Sequence, residues 1–98
     1  MYIIKFSKQA DKDKKLLKGA GLEEKAKQLL NIITVNPFQN PPPYEKLLGN
    51  LTGNYSRCIN IQHRLIYEIF ENKNGFTDAD GKLYDGIIQV KRMWTHYE

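Results

Sequence analysis

A chain of 98 residues makes a single domain, residues 1–98, with one modest core that buries roughly 60 to 70% of the surface its unfolded form exposes. Fifteen Lys and Arg against 11 Asp and Glu leave a formal charge of +4, which suits a polyanionic partner. The single cysteine, Cys58, excludes an internal disulfide, no apolar run approaches the roughly 20 residues of a membrane span, and Met1-Tyr2-Ile3 does not open a charged and then apolar leader, so a cytoplasmic protein without a membrane partner is expected.

Tyr2-Ile3-Ile4-Lys5-Phe6 is a β-rich run ending at Ser7, a good N-cap residue, and predicts a strand that turns directly into a helix over about Lys8 to Lys18. Lys12, Lys14, Lys15 and Lys18 read chiefly as its solvated face, and Gly19 and Gly21 end it. Leu22, Ala26, Leu29, Leu30 and Ile33 then recur at helical spacing among Glu23, Glu24, Lys25 and Lys27, so a second helix presents one apolar stripe to the core. Beyond Asn36, the run Pro41-Pro42-Pro43 is a rigid turn that delivers Tyr44 and Glu45.

Three further strand candidates follow, at about Tyr55 to Ile61, Arg64 to Glu71 and Gly86 to Met93. The short separation at Gln62-His63 makes the first two antiparallel neighbours. Asn72-Lys73-Asn74-Gly75 and Asp78-Ala79-Asp80-Gly81 are turn chemistry, so the connection before Gly86 should protrude as a hairpin tip. The expected fold is α+β, with an N-terminal strand and a two-helix hairpin packed on one face of an antiparallel sheet of about four strands. Period two sends Leu65, Tyr67 and Ile69 to one face and Arg64, Ile66, Glu68 and Phe70 to the other. If the helices cover the first set, Arg64 stands on the open face.

A carboxylate, two guanidiniums and an imidazole suffice to cleave RNA, because the 2′-hydroxyl is an internal nucleophile. Glu45, Arg57, Arg64 and His96 supply those groups. Each also has a plainer reading. Glu45 opens Lys46-Leu47-Leu48 and fits the first turn of a short helix, stabilised by the dipole. His63 fits a strand-end histidine that bonds locally, His96 and Tyr97 fit a frayed tail, and Cys58 reads as packing within a strand. An arginine opening an apolar strand, as Arg64 does, needs an anion or solvent. His63, His96, Cys58, Asp78 and Asp80 have no compact ligand spacing, Asp78-Ala79-Asp80-Gly81 lacks the remaining ligands of a calcium loop, and there is no Gly-rich phosphate loop. Neither metal nor cofactor is expected.

The elements Asn36-Pro37-Phe38, Tyr44-Glu45-Lys46-Leu47, Leu51-Thr52-Gly53-Asn54-Tyr55-Ser56-Arg57, His63-Arg64-Leu65-Ile66-Tyr67 and His96-Tyr97 together resemble the Txe/YoeB family of addiction-module toxins, within the RelE-like superfamily of ribosome-dependent messenger RNA interferases. Before Asn36 the resemblance is one of pattern only. It implies a RelE-like fold and a toxin that enters the ribosomal A site and cuts the messenger there. A cognate antitoxin would block it and could carry it to operator DNA, and a homodimer is compatible with the pattern. Position by position, Glu45 matches the general base, Arg64 the phosphate-binding arginine and His96 the general acid. Arg57 matches a second arginine that positions phosphate or base, and Tyr97 or Tyr55 would stack on an unstacked nucleotide. The implied products are a 2′,3′-cyclic phosphate and a 5′-hydroxyl.

Three features depart from the family's pattern. Cys58 stands where a second consecutive arginine is common, the connection from Asn72 to Asp85 is long, and Met93-Trp94-Thr95 precedes His96 where an arginine and a tyrosine are common. Two other readings compete with the nuclease: a non-catalytic module of the same fold that pairs with an antitoxin and assists operator binding, and a related toxin with a target other than the messenger.

Overall fold

The structure, a computed structural model, describes residues 1–48 and 53–94. In chain order the elements are β1 (Tyr2–Phe6), α1 (Lys8–Gly19), α2 (Glu23–Val35), β2 (Glu45–Lys46), β3 (Asn54–Cys58), β4 (Arg64–Glu71) and β5 (Gly86–Arg92). Ser7 caps α1 as its residue type predicts: its Oγ accepts from the Ala10 N–H at 3.0 Å and donates to the Lys91 carbonyl at 2.9 Å, tying the strand-to-helix corner to β5. Gly21, at φ +74°, turns the chain into α2, whose first turn carries Glu23 and Glu24 in place of a side-chain cap. Ala26, Leu29 and Ile33 are buried and Leu22 and Leu30 pack against the core, as the apolar stripe requires, while Lys12, Lys14, Lys15 and Lys18 are exposed.

The sheet has the order β1-β5-β4-β3-β2. It differs from the expectation in two respects. First, β1 pairs with β5 in parallel, Tyr2 opposite Gly86 through Phe6 opposite Val90, so the sheet is mixed. Strand direction depends on the edge to which the helical hairpin returns the chain, and no local pattern carries that information. Second, Glu45 and Lys46 form a fifth strand paired antiparallel with Ser56 and Tyr55, not the start of a helix. The proline run delivers Tyr44 and Glu45 in extended backbone, where the exposed edge of β3 completes their hydrogen bonding, and the Leu47 N–H continues it to the Asn54 carbonyl at 2.9 Å.

Leu17, Ile33, Ile59, Leu65, Tyr67, Ile88 and Val90 fill the space between helices and sheet with at most 1% exposure. Period two therefore sorted β4 correctly: Leu65 and Tyr67 face the helices, and Arg64 faces away from them. β3 stops at Cys58, short of the expected Ile61, because Asn60 turns the chain, its Oδ1 accepting from the N–H groups of Gln62 and His63 at 2.9 and 2.7 Å. Between Ile66 and Tyr67 the pairing with β5 slips, from Arg92 to Val90.

The connection after β4 is the expected protrusion. Asn72 closes its base, donating from Nδ2 to the carbonyls of Phe76 and Tyr84, and Asp78 organises its tip by accepting from the N–H groups of Asp80 and Lys82. Those bonds hold the Asp78 carboxyl below the usual carboxylate range. No helix among the described residues is long and apolar enough to cross a membrane.

Candidate active site on the open face of the sheet

Strand register brings distant residues together on the face that the helices leave uncovered. Glu45 lies opposite Ser56, Ser56 opposite Ile66, and Cys58 opposite Arg64. Side chains on one face of neighbouring strands are in reach of each other. The Arg64 guanidinium accordingly donates from Nη1 to the Ser56 Oγ at 3.0 Å, and the same nitrogen lies 3.7 Å from Glu45 Oε2. Arg64 is 24% exposed and Glu45 64%, so the ion pair contributes no more than about 1 kcal/mol to the fold and either partner can exchange the other for a ligand. A bound phosphate diester would meet a cation held by a buried hydroxyl beside a solvent-facing carboxylate.

The other expected site residues are placed differently. Arg57 alternates with Ser56 and so turns to the helix side, where it is 1% exposed. Its Nε donates to the Tyr67 hydroxyl at 2.9 Å, and its Nη2 donates to the carbonyls of Pro37 and Gln39 at 3.0 and 2.9 Å. Nη1 donates to the Pro42 carbonyl at 2.6 Å. The phosphate or base contact expected of Arg57 is thus corrected to a structural one: the guanidinium binds the irregular segment 37–42 to the sheet. Burial raises the Tyr67 hydroxyl's pKa despite Arg57's opposing charge, so it stays protonated and in turn donates to Pro37.

Tyr55 is likewise on the helix side. Its ring stacks on Tyr67 with centroids 5.8 Å apart and meets Phe38 and Tyr44 edge-on at 5.8 and 5.9 Å, so it supports the proline segment and does not present a face beside Arg64. Cys58, expected to pack, is exposed at the end of β3. His63 is structural, as its strand-end position suggests: its ring is buried and stacks on Trp94 at 3.7 Å and 18°. His96 and Tyr97 lie outside the described residues, as do Leu51 and Thr52 of the motif.

Sequence reasoning passed over Ser56 and Asp13. Ser56 could have been found by its alternation with Arg57, which sends the two side chains to opposite faces. Asp13 sits between Ala10 and Leu17 at spacings of three and four, an acid on an apolar stripe, and it is fully buried. Burial opposes its ionisation, but hydrogen bonds from Arg92, the Met93 N–H and Gln9, together with the Arg92 charge, hold its pKa below the usual value. Among the described residues no group of three His, Cys, Asp or Glu is placed to hold a metal ion. A cavity of about 330 Å³ lies away from Glu45 and Arg64, between α1 and α2, with Leu17, Ala26 and Leu30 in its lining and lysines at its rim.

Residues 6–80 match the family described as YoeB-like toxin of bacterial type II toxin-antitoxin system. A toxin YoeB of Synechocystis sp. is 44% identical over 57 residues, 58% of this chain and 59% of that protein, so the match spans less than two thirds of the relative's length. Among solved structures, a YoeB-YefM complex from Staphylococcus aureus is 32% identical with a TM-score of 0.70 over 99% of both chains. A YoeB dimer from the same organism is 33% identical with a TM-score of 0.72 over 98% of both. The DinJ-YafQ toxin-antitoxin complex of E. coli, at 24% identity and a TM-score of 0.69 over 97% of this chain and 92% of that one, shares the fold.

Proposed function

The chain belongs to the YoeB-like toxin family of bacterial type II toxin-antitoxin systems, and from that premise we propose that it is an endoribonuclease that cuts messenger RNA in the ribosomal A site. The observation that carries the reading is the approach of Glu45 and Arg64, from strands 19 positions apart, to 3.7 Å on the open face, with Ser56 fixing the guanidinium. Glu45 takes the proton of the 2′-hydroxyl as the 2′-oxygen attacks phosphorus. Arg64 stabilises the charge that builds on the non-bridging oxygens. The bond from phosphorus to the 5′-oxygen breaks, and His96 supplies the proton that oxygen needs. The products are a 2′,3′-cyclic phosphate and a 5′-hydroxyl. No metal is required where the nucleophile is internal and a guanidinium supplies the positive charge.

An antitoxin partner fits the same reading, since relatives of this chain are found in YoeB-YefM complexes. Expressed alone, the chain should arrest growth and cut ribosome-bound messenger in the presence of chelator, in the cytoplasm where ribosomes are. Glu45→Ala and His96→Ala should each slow cleavage by about 100- to 10,000-fold and Arg64→Ala by about 100- to 1,000-fold, all with the fold intact. A triple variant as toxic as the wild type would refute the assignment. Wild-type protein that leaves messenger whole but tightens an antitoxin on operator DNA would support the non-catalytic module instead.

A further inference from the structure

Glu45 and Arg64 carry opposite charges side by side, yet they are not hydrogen-bonded. Arg64 Nη1 lies 3.7 Å from Glu45 Oε2, well beyond the roughly 2.7 to 2.9 Å of a direct N–H to carboxylate bond. An arginine beside a carboxylate ordinarily closes on it with two parallel N–H groups, because the guanidinium fork matches the two oxygens. Ser56 stands in the way. It is fully buried in β3, directly opposite Glu45 of β2, and its Oγ accepts from the same Nη1 at 3.0 Å. A hydrogen bond from a charged donor to a buried oxygen outweighs an ion pair whose carboxylate is 64% exposed, so the serine decides where the guanidinium rests.

We propose that Ser56 is a positioning residue that keeps Arg64 from closing on Glu45, an inference that rests on the nuclease reading above. The guanidinium's other N–H groups are thereby left for the phosphate, and the carboxylate's lone pairs for the 2′-hydroxyl. A general base and a phosphate ligand must stand close enough to serve one linkage, but opposite charges at that range disable each other when they bond directly. Arg64 would then spend its donors on Glu45, and the oxygens that take the proton would already be occupied. A neutral acceptor resolves the conflict. Serine takes one N–H without adding charge, and β3 carries it between the strand of the base and the strand of the cation. Ser56 neither gives nor receives a proton in the reaction, and acts through the placement of Arg64.

The test combines a structure with a set of rates. In a crystal structure of Ser56→Ala, Arg64 and Glu45 should meet at about 2.8 Å, whereas the wild type keeps them apart. A guanidinium that stays 3.7 Å away in the variant overturns the proposal, whatever the chain does to RNA. In single-turnover cleavage of ribosome-bound messenger, Ser56→Ala should lose about 10-fold in an otherwise wild-type chain. It should lose less than about threefold when Glu45 or Arg64 is already alanine, because the contact that the serine prevents can then no longer form. Ser56→Thr keeps the acceptor oxygen and should recover most of the loss. Its extra methyl meets a fully buried site, so the alanine series decides the outcome.

A serine that only supports the strand would be indifferent to its two neighbours. Equal losses in all three backgrounds, or no loss in the otherwise wild-type chain, therefore overturn the proposal. If Glu45→Ala alone cleaves as fast as the wild type, the nuclease reading has failed and the positioning role with it. A slow Glu45→Ala beside an unimpaired Ser56→Ala condemns the serine alone.

Discussion

Arg57 and Arg64 differ by seven positions and lie on adjacent strands, yet one is interior and the other stands on the open face of the sheet. The Arg57 guanidinium is spent on three backbone carbonyls and a tyrosine hydroxyl, so Arg57→Ala should lose at least about 3 kcal/mol of stability by equilibrium urea unfolding. Arg57→Lys should recover little of it, because an ammonium cannot span that set of acceptors. Arg64→Ala should shift unfolding by no more than about 1 kcal/mol, since its ion pair is partly solvated, and on the nuclease reading proposed above it should slow cleavage by about 100- to 1,000-fold. Asp13 makes a prediction in pH. Its pKa is lower in the folded protein than in the unfolded chain, so its stabilisation is complete above the ordinary carboxylate value of about 3.9 and is lost as the pH falls through the lower folded value. Unfolding of Asp13→Asn, followed from about pH 5 to pH 2, should show a shallower loss of stability over that window than the wild type.

At the scale of elements, β5 is the strand on which the sheet depends, flanked by parallel β1 and antiparallel β4. Gly86 stands where the three meet, and a Cβ there would lie 2.2 Å from the Phe70 carbonyl oxygen and 3.0 Å from the Tyr2 ring. The backbone oxygen cannot yield without breaking the β4 pairing. Gly86→Ala should therefore destabilise by about 1 to 3 kcal/mol and speed amide exchange in both β1 and β4, whereas a loss confined to one neighbour would show that the sheet yields on that side alone. β2 is the opposite case, two residues of strand held by the edge of β3. Glu45 in that strand stays 64% exposed.

Across the whole molecule, the two sides of the domain differ. The open face carries Glu45, Ser56 and Arg64, and the α1 side carries Lys12, Lys14, Lys15 and Lys18, of which Lys14 is partly occupied by Asp11 at 3.2 Å and by the Phe6 ring. If α1 meets ribosomal RNA, replacing these lysines with glutamine should weaken ribosome binding. The slope of log affinity against log salt should then flatten by about 0.7 to 0.9 for each phosphate that is no longer neutralised. An unchanged slope would return the lysines to solvent.

Much of this molecule was legible in one dimension. The Ser7 cap, the α2 stripe, the turn chemistry after Glu71 and the alternation along β4 each depend on neighbours within a few positions, where steric preference, hydrogen-bond capacity and the contrast between apolar and polar side chains act directly. The motif around Arg64 also told the family. Strand direction, the fifth strand, the interior fate of Arg57 and Tyr55, and the grip of Asp13 on residues 92–94 were decided only in three dimensions. The reason is physical: which face of β3 is covered, and which carboxylate meets a given N–H, depends on segments up to 81 positions apart coming together, and no local propensity encodes that.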